Sequence, residues 1–61
     1  MKISLEAARK NAGLTQKQAA DKIGISPNTL RNYETGTTSP PLKRIEKICK
    51  VYKCRMSNIF F

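Results

Sequence analysis

The chain contains no histidine, only two cysteines and only four acidic residues among its 61 positions. Without histidine there is no Cys2His2 zinc set, and a serine or cysteine nucleophile lacks its usual base. Cys49 and Cys54 can close at most one very short loop, which excludes a disulfide scaffold. Four scattered acids offer no metal cluster, so neither a catalytic set nor a cofactor site is expected and an enzyme is disfavoured. No apolar run approaches the roughly 20 residues that span a bilayer, and the N-terminus lacks the apolar core and cleavage site of a signal peptide. These absences describe a soluble cytoplasmic chain of one domain, residues 1–61, too small for a second lobe.

Positive charge is abundant instead. Twelve Lys or Arg against four Asp or Glu give a formal charge of +8 on 6.9 kDa, with a pI near 10.0. A polyanionic partner follows from that balance, although composition leaves nucleic acid and an anionic membrane surface both open.

Apolar residues recur at intervals of three and four, never two, in short segments divided by stop signals, which predicts an all-α fold. Leu5, Ala8 and Ala12 mark one face of a first helix over residues 4–12, capped by Ser4 and ended by Gly13. Thr15 and Gln18 have capping-box spacing, and Ala19, Ala20 and Ile23 supply the apolar stripe of a second helix over 16–23, stopped at Gly24. Ser26-Pro27 opens a third helix over 27–34, with Leu30 and Tyr33 on one side. After the breaker-rich loop from Thr35 to Pro41, Leu42, Ile45, Ile48, Cys49 and Tyr52 keep helical spacing for about three turns. A fifth, terminal turn from Ser57 to Phe60 is expected to fold Ile59 and Phe60 onto the core as a lid.

The stretch from Thr15 to Gly36 is the informative one. Two helices of about eight residues are joined by a turn holding one glycine, Gly24, and a steep crossing of the two needs a small residue, Ala20. Leu30 and Tyr33 anchor the third helix, leaving Pro27, Asn28, Arg31 and Asn32 facing away on a polar surface with no acid. Asn28 and Asn32 lie four apart and so share a face, and an Asn amide can pair both N6 and N7 of adenine.

The run TQKQAADKIGISPNTLRNYETG resembles the helix-turn-helix family of phage repressor and Cro proteins, the XRE family. The likeness extends to Arg9, to Gly13-Leu14-Thr15-Gln16, to Ala20, Gly24 and Leu30, and to Glu34-x-Gly36 with Pro40 four residues on. One departure is Ala19, where the family usually carries leucine, which predicts a core underfilled at that point.

The resemblance implies a compact five-helix DNA-binding domain, bacterial or phage-encoded, whose third helix enters the major groove of a double-stranded operator to regulate transcription. Asn28, Asn32 and Thr29 are the expected base readers, Thr29 through a thymine methyl or alternatively a phosphate. Gln16 at the positive end of the second helix is expected on the DNA backbone, with Lys17 and Pro27 beside it, while Thr37, Thr38, Ser39 and Lys43 after the third helix either bond phosphates flanking the groove or are a plain polar connection. Arg31 can fork onto guanine or neutralise a phosphate, and the phosphate is preferred. Arg9 and Glu34 resemble the family's buried pair tying the first helix to the end of the third. Lys43, Lys47 and Lys50, with Arg44, Lys53 and Arg55 nearby, form a basic face that either is merely solvated or steers the chain toward DNA. Homodimers on symmetric half-sites are expected, with Ile59, Phe60 and Phe61 as the pairing patch. The alternative is a protein-interaction module, such as an antitoxin or antirepressor-like partner on the same scaffold. A membrane binder built on the fourth helix is disfavoured because its apolar residues are needed for the core.

Overall fold

The computed structural model describes residues 2–60. Four α-helices form the body: α1 (Leu5–Asn11), α2 (Gln16–Ile23), α3 (Pro27–Thr35) and α4 (Leu42–Tyr52). Three begin on hydroxyl caps. Ser4 accepts the Ala7 N–H, Ser26 accepts the Thr29 N–H, and Thr15 and Gln18 form a complete capping box. The bounds of α2 agree with the expectation at both ends, while α3 runs one residue further because its left-handed terminator is Gly36.

The terminal segment departs from the expectation. Residues 56–58 make a single 3-10 turn and not a fifth helix, and Ile59–Phe60 continues as a strand, β2, beside Ile3–Ser4, β1. The pair is parallel, with Ile3 opposite Ile59 and Ser4 opposite Phe60. An all-helical reading misses this two-residue closure, which ties the two ends of the domain through backbone hydrogen bonds. Ile59 is buried in the core while Phe60 is 55% exposed, so only the first of these two lids the core. The apolar patch left to solvent here consists of Phe60 and Met56 rather than Ile59. Phe61 lies outside the described residues.

Every helix contributes to one core. Leu30 from α3 and Ile48 from α4 are its largest fully enclosed side chains, joined by Leu5 and Ala8 from α1 and Ile23 from α2, whereas Leu42, expected on the apolar stripe of α4, is exposed in its first turn. Ala20 is fully buried, and so is Ala19, the position where the resemblance calls for leucine. The small residue expected at the crossing, Ala20, is compatible with close approach of α2 and α3. Cys49 is buried, whereas Cys54 is only half-buried.

Candidate nucleic-acid interface

The geometry of the interface starts at Gly24. It terminates α2 at φ 89°, ψ 33°, a left-handed conformation that glycine adopts without a Cβ penalty. The N–H groups of Gly24 and Ile25 both donate to the Ala20 carbonyl, at 2.8 and 3.0 Å. Two bonds on one acceptor fix a tight corner, and Ser26-Pro27 starts α3 immediately beyond it. Leu30 then faces the core, which turns Pro27, Asn28 and Arg31 out to solvent and leaves Thr29 and Asn32 half-buried at the margins.

The first turn of α2 sits beside that outward face. Gln16, Pro27, Asn28 and Arg31 line a shallow cleft of about 190 Å³. The N-terminal turns of α2 and α3 hold no acidic residue. The one carboxylate of α3, Glu34, is turned inward with its side chain 4% exposed. An arginine and two carboxamides around one cleft, at the positive ends of two capped helices, make a surface suited to an oxyanion flanked by hydrogen-bonding groups.

Glu34 is the hub beneath this surface. Arg9 Nε donates to its Oε2 at 2.7 Å and Gln16 Nε2 donates to its Oε1 at 2.9 Å. Arg9 Nη1 also donates to the Leu14 carbonyl at 2.9 Å, pinning the turn before α2. The hydrogen bond that Arg9 donates to Glu34 raises the Arg9 pKa beyond its ordinary value against the opposing effect of burial, so the guanidinium stays charged. One carboxylate thereby orients α1, the start of α2 and the end of α3 together.

The other expected residues differ in how free their polar groups are. The Thr29 and Ser26 hydroxyls are hydrogen-bonded at 2.8 Å, so the Thr29 hydroxyl already has a local partner. The Asn32 carbonyl accepts the N–H groups of Thr37 and Thr38 at 2.9 and 3.3 Å, binding the loop to the end of α3. Thr37, Thr38 and Ser39 are exposed there, as are Lys17 and Lys43. Tyr33 packs against the core from the margin, and its hydroxyl accepts a hydrogen bond from Arg44 Nη1 at 3.2 Å. By spacing along the chain, Arg44 groups with the basic face of α4. It is instead a half-buried brace between α4 and α3, and nothing in a linear spacing of eleven residues signals that contact.

No group of three or more His, Cys, Asp or Glu placed to hold a metal occurs among the described residues. None of the described helices is long and apolar enough to cross a membrane.

Two short helices locked at a glycine corner, with the second one's polar face turned outward, define a helix-turn-helix domain. The helix-turn-helix family model matches residues 5–59, and the chain belongs to that family, the XRE type. It is similar to the HTH-type transcriptional regulator ImmR of Bacillus subtilis, 42% identical over 48 residues that cover 79% of this chain and 38% of the relative. It is likewise similar to the cryptic phage CTXphi transcriptional repressor RstR of Vibrio cholerae, 43% identical over 44 residues covering 72% and 40%. A third relative is the antitoxin PezA of Streptococcus pneumoniae, 39% identical over 56 residues covering 92% and 35%. The chain thus spans about two fifths of the length of these curated relatives. No solved structure gives a significant match.

Proposed function

We propose that this chain binds double-stranded operator DNA in a sequence-specific manner and regulates transcription, with α3 in the major groove. The observation that carries the reading is the disposition of α3. Its carboxylate is buried on the Arg9 side while Asn28 and Arg31 stand free beside Gln16 in one cleft. Asn28 and Asn32 read adenine edges, with Thr29 against a thymine methyl. Gln16, Arg31, Lys17 and Pro27 meet the phosphates on one flank, and Thr37, Thr38, Ser39 and Lys43 meet them on the other. The net charge of +8 supports a polyanionic partner.

Binding as a symmetric dimer places two α3 helices on half-sites about 34 Å apart. The apolar pair Met56 and Phe60 is the surface offered for that pairing. If a dimer neutralises about six phosphates, log K falls against log salt with a slope near −5. In vitro selection of bound duplexes at two salt concentrations tests the whole reading. Enrichment of a two-fold symmetric sequence, abolished in Asn28→Ala/Asn32→Ala while the helical signal persists, is expected. A salt-insensitive complex, or an Asn variant with unchanged sequence preference, contradicts it.

The similarity to an antitoxin favours one second reading, in which the same scaffold chiefly docks another protein. The two separate at α3. Partner capture that survives the double Asn variant, with no duplex enriched by the wild-type chain, selects the second.

A further inference from the structure

The end of α4 is unusual because a non-glycine residue, Lys53, adopts the left-handed conformation there, at φ 54°, ψ 47°. That reversal carries the Cys54 N–H back onto the Cys49 carbonyl at 3.0 Å. The bond is the six-to-one closure of a Schellman termination, which a contact between the side chains of the two joined residues frequently accompanies. In this chain those two residues are the only cysteines. A backbone hydrogen bond between two residues keeps their Cα atoms near the roughly 4.4–6.8 Å that a disulfide spans.

Access to the two thiols differs. Cys49 is buried in the core, whereas Cys54 is half-buried and lines an open groove of about 680 Å³ between α1 and the end of α4. Lys22 and Lys53 also line this groove, together with Asn11, so it suits an anionic peptide-like reagent. None of its lining residues belongs to the cleft at the start of α3.

We propose that Cys49 and Cys54 are a modification site: a dithiol that closes to an intramolecular disulfide by exchange with an anionic low-molecular-weight disulfide of the glutathione type. The thiolate of Cys54, the reachable sulfur, attacks one sulfur of the small disulfide RSSR and expels one RS⁻, leaving Cys54 joined to SR. The thiolate of Cys49 then attacks Cys54 Sγ, the mixed bond breaks, and the second RS⁻ leaves. The two cysteine protons end on two RSH, and the two electrons lost by the protein reduce the small disulfide. The product staples the last turn of α4 to the segment that leads into β2. Burial, followed by the neighbouring Cys49, pushes the Cys54 thiol up to about 11, so little thiolate is present at neutral pH and the exchange is slow.

The test incubates the full folded chain with excess oxidised glutathione at mildly alkaline pH, quenches with acid and measures mass without reductant. The expected product is a monomer lighter by two hydrogen atoms, with no free thiol and a melting temperature higher by roughly 5–10 °C, reversed by dithiothreitol. Cys49→Ser is expected to stop at one glutathione adduct on Cys54, and Cys54→Ser to react far more slowly. The same chain in denaturant reports whether the reagent is active. Wild-type chain that keeps both thiols when the denatured control reacts overturns the proposal. So does a product that stops at the mixed adduct, forms a disulfide-linked dimer, or melts no higher than the reduced form.

Discussion

Arg9 and Glu34 are twenty-five residues apart in sequence, yet Arg9 Nε lies 2.7 Å from Glu34 Oε2 with the two side chains 8% and 4% exposed. A pair this enclosed is costly to break from one side, because the remaining charge is buried without compensation. Arg9→Ala is therefore expected to lower stability by about 3–5 kcal/mol. Lys10→Ala, at an exposed residue whose ion pair with Glu6 spans 3.6 Å, is expected to change it by less than about 1 kcal/mol. Denaturant melts of both variants decide the matter, and equal midpoints would sink the role given to the pair. Replacing both partners with apolar residues, as in Arg9→Met/Glu34→Leu, should recover much of the loss.

Gln16 joins that pair to the surface, and its lack of charge yields a prediction separable from that for Arg31. Removing the amide in Gln16→Ala should weaken every duplex alike, with the salt slope unchanged, since no counterion is released through a neutral group. Arg31→Ala should weaken binding across sequences and make the slope shallower by about 1. Fluorescence titrations at four salt concentrations distinguish the two. If Arg31→Ala instead relaxes preference at one base position with the slope intact, Arg31 forks onto guanine and its assignment to a phosphate is wrong.

Much of this fold is local chemistry, which is why the helices are legible in the sequence alone. The capping box at Thr15 and the glycine at position 24 bound α2 from both ends, and Ser26-Pro27 opens α3 at the expected residue. The Arg9–Glu34 pair was legible only through the family resemblance. What was not legible is long-range. A strand of two residues has no period to detect, and the pairing of Ile3 with Ile59 joins opposite ends of the chain. The bonds from Gln16 to Glu34 and from Arg44 to Tyr33 likewise depend on how α2 and α4 lie against α3. Side-chain spacing along one helix carries no information about either.

Left-handed backbone at two helix ends leads to opposite expectations for two substitutions. Nothing lies within 4 Å of where a Cβ on Gly24 would sit, so Gly24→Ala meets no clash and its cost is conformational, from φ 89° alone. That cost is expected to be about 1–2 kcal/mol. Lys53 already bears such a strain at φ 54°, so Lys53→Gly should stabilise the fold, by roughly 0.5 kcal/mol once the greater freedom of glycine in the unfolded chain is deducted. Thermal melts of the two single variants should move in opposite directions, and a stabilised Gly24→Ala would refute the argument from backbone angle.

Tyr52 carries a buried hydroxyl that finds no hydrogen-bond partner among the described residues. A buried polar atom left unpaired costs about 1–3 kcal/mol, so Tyr52→Phe is expected to raise stability at neutral pH by about 1 kcal/mol. The same burial, reinforced by the charge of Glu34, pushes the hydroxyl from its ordinary 10.0 up to about 12. A raised folded value means that the folded state holds its proton more tightly than the unfolded chain does. The associated stability is present in full below the unfolded value of 10.0 and disappears as pH rises through about 12. Wild-type chain should therefore lose stability across that interval faster than Tyr52→Phe, after subtraction of the loss both share. Parallel curves from urea melts between those two pH values would mean that the hydroxyl is solvated in the folded state, and the expected gain at neutral pH would vanish with it.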